Sequence, residues 1–220
     1  MLGTSDLLKT IPLFADLDEQ DLETLANAKM TRRFQRNAIV LHEGDQSNAL
    51  YIIDSGQVKV SRINEEGKEV VLCILAEGDH FGEMSLIDDQ PRSASVITKT
   101  SCEFSLIRKQ DFEKLLLQKP ELALAMMRSL CYRLRLADRS IESLALMDVY
   151  GRIARLLLDS ATEQGDKLVV PGKLTHKEIA QMVGSSREMV SRIFKDLTDG
   201  GYISKDNDGI SINSTLPARW

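Results

Sequence analysis

Cysteine is scarce in this chain: its 220 residues include three, Cys73, Cys102 and Cys131. They stand far apart with no CxxC spacing, so neither a zinc ribbon nor an iron–sulfur cluster is indicated. Three small apolar side chains in a reducing compartment are expected instead. Histidine is equally sparse. His42, His80 and His176 form no HxH pair, which argues against a metalloenzyme of the cupin kind and predicts no metal site. No apolar run approaches the roughly 20 residues that span a bilayer, and the opening MLGTSDLLKT lacks a secretory pattern. A cytoplasmic protein, neither an enzyme nor membrane-bound, is the expectation. An excess of positive charge is missing too: the net charge is −5. Net charge averages over the chain, however, and leaves room for a local basic face.

The length suits two compact domains, and 43% hydrophobic with 28% charged residues is ordinary for a globular protein. Residues 5–30 read as helical, with start signals at Ser5 or Asp6, an interruption at Pro12 and a second start at Asp16 or Asp18. From Ala38 to Ile107 short β-rich runs recur: 38–41, 50–53, 57–62, 70–75, 95–98 and 103–107. Gly44, Gly56, Gly67 and Gly78 punctuate them every eleven or twelve residues, the signature of an all-β barrel or jelly roll. Asn64-Glu65-Glu66-Gly67 reads as a hairpin loop.

Helix returns at 109–117, and Pro120 opens a long helix to about Met147. Its apolar residues Ala123, Met127, Leu130, Leu134, Ala137, Ile141 and Leu144 alternate in steps of four and three, a heptad seam. A seam on a helix of about 40 Å outruns one small barrel, so it predicts a parallel coiled-coil homodimer. Asp148 is placed to cap the next helix, 149–161, and Glu163–Asp166 reads as a polar loop. Strand-like runs at 202–205 and 209–212 flank the turn Asp206-Asn207-Asp208. The expected organisation is α+β: a β-barrel domain over 1–119, a dimerisation helix over 120–147 and a helical module over 148–220.

Two segments carry chemistry. In Gly78–Ala94, Gly82 lets backbone approach a ligand, and Glu83-Met84-Ser85-Leu86 suits one helical turn with free N–H groups. Arg92 offers a fork of donors matched to two phosphate oxygens, and Ser93 adds a hydroxyl. Glu83 only accepts, so it suits a sugar hydroxyl and repels phosphate. The alternative is a plain Glu83–Arg92 ion pair in a barrel without a ligand. In Leu174–Leu197, Thr175 with Glu178 forms a capping box, Gly184 makes a turn, and Ser185 or Ser186 caps a second helix. Ile179, Ala180, Val183, Val190, Ile193 and Leu197 fall on buried faces. Arg187, Glu188, Ser191 and Arg192 point outward, where a reading helix meets base edges. Over 174–205, Lys and Arg at 177, 187, 192, 195 and 205 oppose Asp and Glu at 178, 188, 196 and 199, a slightly basic face.

The first segment resembles the phosphate cassette of cyclic-nucleotide-binding domains, F-G-E-x-x-L followed by P-R-x-A. The second resembles, down to G-x-S-R-E-x-V-x-R, the cyclic-AMP receptor protein and fumarate-nitrate reduction regulator family of bacterial transcription factors. That resemblance implies a jelly roll, a dimer helix and a winged helix-turn-helix. It implies that Arg92 and Ser93 hold a cyclic phosphate, helped by backbone N–H groups near Gly82, Met84 and Ala94, and that Glu83 binds the ribose. It implies that Arg187, Glu188 and Arg192 read a TGTGA-like half-site of double-stranded DNA. Phosphates would then fall to His176, Lys177, Ser186 and Lys195, beside the Thr175 cap, and RNA polymerase to the loop at 163–167. Where cyclic-AMP receptors carry a Thr-Ser pair against adenine, this chain has Ala137 and Asp138. A carboxylate accepts one amine of adenine or two N–H groups of guanine, so cyclic AMP, cyclic GMP and cyclic di-GMP all become candidates. Asp138 paired with Arg135 or Arg139 in solvent is the plain alternative. The same scaffold could serve a redox or haem signal through Cys73 and His80, or a ligand-independent regulator.

Overall fold

The computed structural model describes residues 9, 11–15, 17–46, 48–164, 167–172, 174–205 and 209–217. It divides into two compact units, Met1–Leu134 and Arg135–Trp220.

In the first unit a 3-10 turn, Pro12–Phe14, precedes helix α1, Glu19–Ala28, capped by the Asp18 carboxylate on Asp21 N at 2.9 Å. The alternative starts at Ser5, Asp6 and Asp16 lie outside the described residues. Strands follow: β1 Met30–Phe34, β2 Ile39–Leu41, β3 Ala49–Ser55, β4 Gln57–Ile63, β5 Glu69–Ala76, β6 His80–Phe81, β7 Ser95–Thr98 and β8 Cys102–Arg108, with a single turn α2, Met84–Ile87, after β6. They form two four-stranded antiparallel sheets, β1-β8-β3-β6 and β2-β7-β4-β5. Met30, at the end of the expected helix, is instead the first residue of β1.

Strand period sorts the core. In β3, Ala49 and Ile53 face the other sheet with Val58, Phe81, Val96 and Phe104. Leu50 and Ile52, one step out of phase, face the helices with Phe14, Leu22, Ile107 and Phe112. Both faces are covered, so β3 reads as a nearly continuous apolar run. Gly56, at φ +96, turns β3 into β4; a Cβ there would meet the Ser101 carbonyl at 2.5 Å.

Helix α3, Lys109–Gln118, leads to α4, Pro120–Leu146. Leu122 and Met126 of α4 are buried against the barrel core. The heptad positions Met127, Leu134, Ala137, Ile141 and Leu144 are exposed instead. The seam position Leu130 is half-buried against that same core, so the stripe is shared with the barrel at that point and is exposed from Leu134 on.

The second unit continues α4 into α5, Val149–Ser160, then β9 Thr162–Gln164, β10 Lys167–Pro171, α6 His176–Val183, α7 Arg187–Asp199, β11 Ile203–Lys205 and β12 Gly209–Ile212. Asp148 caps α5, its carboxylate 2.7 Å from Gly151 N. The strands form one sheet, β11-β12-β10-β9, packed by Ile153, Leu157, Ile179, Val190, Ile193, Phe194 and Leu197. The expected loop at 163–166 is a strand as far as Gln164; Gly165, Asp166 and the turn 206–208 lie outside the described residues.

Candidate functional site

The cassette in the first unit is built around two buried charges. Arg92 is 4% exposed and Glu83 2%. Gly82 takes φ +86, a conformation glycine accepts readily, and a Cβ there would run into the Arg92 guanidinium. Arg92 donates from Nη1 to the Gly82 carbonyl at 2.6 Å and from Nη2 to the Ala49 carbonyl at 2.8 Å. The Tyr51 ring lies 5.9 Å from its guanidinium carbon. Among the described residues Arg92 has no ion pair, and its buried Nε has no partner. Burial pulls its basicity below the ordinary value, against the opposing pull of Tyr51, Glu83 and Asp45. A buried cation held by two carbonyls and an aromatic face, with Nε unsatisfied, has the electrostatics to accept an anion.

Glu83 does not pair with Arg92. Its Oε1 accepts from Arg133 Nη1 of α4 at 2.9 Å, while Arg133 Nη2 donates to the His80 carbonyl at 2.6 Å. Its Oε2 is buried with no partner among the described residues, an acceptor without a donor. Met84 and Ser93 are exposed at the rim, the Ser93 hydroxyl 3.8 Å from the Met84 sulfur, and Ala94 is buried behind them. The structure thus brings together Gly82, Glu83, Met84, Arg92, Ser93 and Ala94, and adds Arg133. Sequence reading passed over Arg133 because one arginine in an arginine-rich helix gives no periodic signal. Ala137 and Asp138 lie in the second unit, both exposed, and no hydrogen bond to the Asp138 carboxylate occurs among the described residues.

His80 is 6% exposed, and burial together with the Arg133 guanidinium drives its affinity for a proton down to about 3. Burial pushes the Cys73 thiol up to about 11. Among the described residues no group of three His, Cys, Asp or Glu side chains is placed to hold a metal ion. Nor, among them, is any helix long and apolar enough to cross a membrane.

In the second unit the capping box is formed: Thr175 Oγ1 accepts from Glu178 N at 3.1 Å, and the Glu178 carboxylate accepts from Thr175 N at 2.8 Å. Gly184 ends α6 in the left-handed region, φ +63. Of the two serines, Ser186 caps α7, accepting from Met189 N at 3.2 Å. Arg187, Glu188, Arg192 and Lys195 are exposed on α7, and Lys177 on α6. Ser191 is half-buried, bonded at 2.9 Å to His176, whose other ring nitrogen meets Lys205 of β11 at 2.6 Å. Arg152 of α5 ties the turn to the end of α4, donating to the Val183 carbonyl at 2.7 Å and the Met147 carbonyl at 2.9 Å.

Comparison with known proteins matches these two regions separately. Residues 31–119 fit the family model of the cyclic nucleotide-binding domain, and residues 151–215 that of the Crp-like helix-turn-helix domain. Over 188 residues the chain is 37% identical to the cAMP-activated global transcriptional regulator CRP of Salmonella typhimurium, covering 83% of this chain and 89% of that one. It is 34% identical over 205 residues to the CRP-like cAMP-activated global transcriptional regulator of Mycobacterium tuberculosis, covering 89% and 92%. Among solved structures it resembles the c-di-GMP responsive global regulator CLP of Xanthomonas campestris, with a TM-score of 0.75 and 28% identity over 90% of this chain and all of that chain. A CooA mutant from Carboxydothermus hydrogenoformans shares the fold, with a TM-score of 0.77 at 22% identity, covering 96% and 93%.

Proposed function

The chain belongs to the cyclic-AMP receptor protein and fumarate-nitrate reduction regulator family of transcription regulators, and from that premise we propose a cytoplasmic homodimer whose barrel takes a cyclic purine nucleotide and whose paired reading helices then grip a DNA palindrome. One observation carries this reading: among the described residues Arg92 is a buried cation without a counter-ion, beside a Glu83 oxygen that lacks a donor. Arg92 and the Ser93 hydroxyl would take the cyclic phosphate, with Gly82, Met84 and Ala94 lending backbone. Glu83 would accept from the ribose hydroxyl, held in place by Arg133.

For the base the family resemblance points to Ala137, which offers a methyl group, and to Asp138, whose carboxylate would reach the pocket of the partner subunit. Guanine presents two N–H groups to a carboxylate and adenine one amine. Cyclic AMP, which activates the curated relatives above, is therefore joined by cyclic GMP and by cyclic di-GMP, to which one solved neighbour responds. Calorimetry of the full chain with each of the three tests this directly. Saturable binding of at least one is expected, and an absence of heat with all three would remove the ligand-gated reading. If Asp138→Ala leaves affinity and base preference unchanged, the carboxylate does not read the base.

On DNA, Arg187, Glu188 and Arg192 would read a TGTGA-like half-site, with Lys177, Ser186 and Lys195 reaching phosphates near the Thr175 cap, while His176, expected among them, has both ring nitrogens engaged by Ser191 and Lys205. RNA polymerase is the further partner, through the polar segment 163–167. Gel-shift titration on a TGTGA palindrome, with and without each nucleotide, should show ligand-dependent retention; equal retention on a scrambled duplex would refute the half-site.

A further inference from the structure

Three elements of the second unit meet at one imidazole. His176, at the start of α6, has Nδ1 2.9 Å from Ser191 Oγ on α7 and Nε2 2.6 Å from Lys205 Nζ on β11. The Phe194 ring lies 4.9 Å from the imidazole, and the Lys205 ammonium stands 4.6 Å from the centre of that same ring. The aromatic face and the imidazole therefore hold the ammonium from two sides.

An ammonium has donors and no acceptor, so Nε2 must present its lone pair. Burial lowers both proton affinities, that of Lys205 from an ordinary 10.5 and that of His176, with Lys205 and Arg187 adding to it, from an ordinary 6.5; the shared proton is assigned to Lys205. A neutral ring that accepts at Nε2 carries its hydrogen on Nδ1. Nδ1–H then donates to Ser191 Oγ, and the hydroxyl hydrogen of Ser191 is left for another acceptor. Ser191 lies one helical turn from Arg187 and Glu188 and beside Arg192, all exposed.

We propose that Lys205, His176 and Ser191 form a one-way hydrogen-bond relay that leaves the Ser191 hydroxyl hydrogen for an acceptor on the bound duplex, with His176 as a positioning residue. The inference rests on the DNA-reading role of α7 given above. A donor at this place suits guanine O6 or N7, adenine N7, thymine O4 or a phosphate oxygen. The groups facing the ring are Lys205 from the wing, Arg187 from α7 and the apolar Phe194; Glu178, on its own helix, is engaged by the Thr175 cap. Burial, Lys205 and Arg187 all hold the imidazole below its ordinary affinity, which keeps the relay intact at neutral pH. Protonation would set two cations against each other and open it.

Two measurements on the full-length protein test the relay. Nitrogen NMR of its three histidines, with His176→Asn to assign the signal, should show Nδ1 protonated and Nε2 bare at neutral pH. Lys205→Met should let the other tautomer appear. A protonated Nε2 in the unaltered protein would overturn the relay. Selection from a randomised duplex pool, with cyclic AMP, cyclic GMP and cyclic di-GMP all present, supplies the DNA arm. Ser191→Ala should weaken the selected site about tenfold across the dimer. The loss flattens preference at one half-site position if the acceptor is a base edge, and is uniform if it is a phosphate. His176→Leu combined with Ser191→Ala should weaken binding no further than Ser191→Ala alone. Additive losses, or an unchanged Ser191→Ala affinity, overturn the relay and leave DNA reading intact; a wild-type protein that retains no duplex overturns both.

Discussion

Arg92 and Glu83 place opposite charges in one buried cassette without pairing them, and that separation would suit a phosphate on a sugar. Replacing Arg92 with Leu should lower nucleotide affinity by about a hundredfold, the usual scale for removing one side of a buried charge contact. The same change strips donors from the Gly82 and Ala49 carbonyls, so urea unfolding should register a loss of about 1–3 kcal/mol. Gly82→Ala attacks the same pair through the backbone. Its positive φ and the guanidinium in the path of a Cβ predict a cost of about 1–3 kcal/mol, with ligand affinity falling alongside. His80 supplies a pH signature. Its folded affinity, about 3, lies below the unfolded 6.5, so the unfolded chain binds the extra proton between those values. Stability contributed by neutral His80 is therefore complete above pH 6.5 and lost as pH falls, at about 1 kcal/mol per pH unit. Denaturation curves between pH 4.5 and 6.5 should flatten in His80→Gln by about that slope; an unchanged slope would show that the imidazole titrates freely. Glu83 and Arg92 were legible in the sequence because their residue types sit at fixed offsets around glycine. Arg133 was not, since its importance comes from a contact fifty positions away.

Elements with a clean period were read well and elements without one were not. The runs between 39 and 107 emerge as strands within a residue or two, because short β-rich apolar runs between regularly spaced glycine turns mark their extent and their ends. Strand β1, Met-Thr-Arg-Arg-Phe, is an exposed edge whose side chains carry no apolar alternation; its first residue, Met30, reads as a helix end and the rest gives no strand signal. Strands β9 and β10 are short and pair with each other across a polar connection, which looks like loop composition. The capping box was visible because its chemistry is local: a hydroxyl and a carboxylate three residues apart serve two amides that have no helical partner. Thr175→Ala should loosen the first turn of α6 by about 1 kcal/mol. Amide hydrogen exchange at Glu178 should quicken accordingly while the amides of α7 keep their protection. Equal acceleration in both helices would mean that the cap serves the whole unit instead of one helix end.

At the scale of the whole molecule the seam of α4 decides. Leu122, Met126 and, from the seam itself, Leu130 pack on the barrel core, yet Leu134 and Ile141 remain 62% and 64% exposed and Met127 and Leu144 are exposed with them. Burying a side chain of that size contributes about 1.5–3 kcal/mol, so a row of them at heptad spacing is a strong drive toward a second copy. The reading helix makes the same demand from the other direction. With five basic residues against four acidic over 174–205 and a net charge of −5, one copy has little counterion release with which to hold DNA. Two copies, with half-sites about one helical turn apart, would double the base contacts at no cost in net charge per contact. Leu134→Glu with Ile141→Glu sets carboxylates on the seam of each helix without touching the barrel core. Sedimentation should then give a monomer at micromolar concentration with its circular dichroism intact, and retention of a palindromic duplex should fall at least a hundredfold, since half of the base contacts are lost. A variant that stays dimeric, or a monomer that holds the palindrome as tightly as before, would show that the exposed stripe is not what pairs the reading helices.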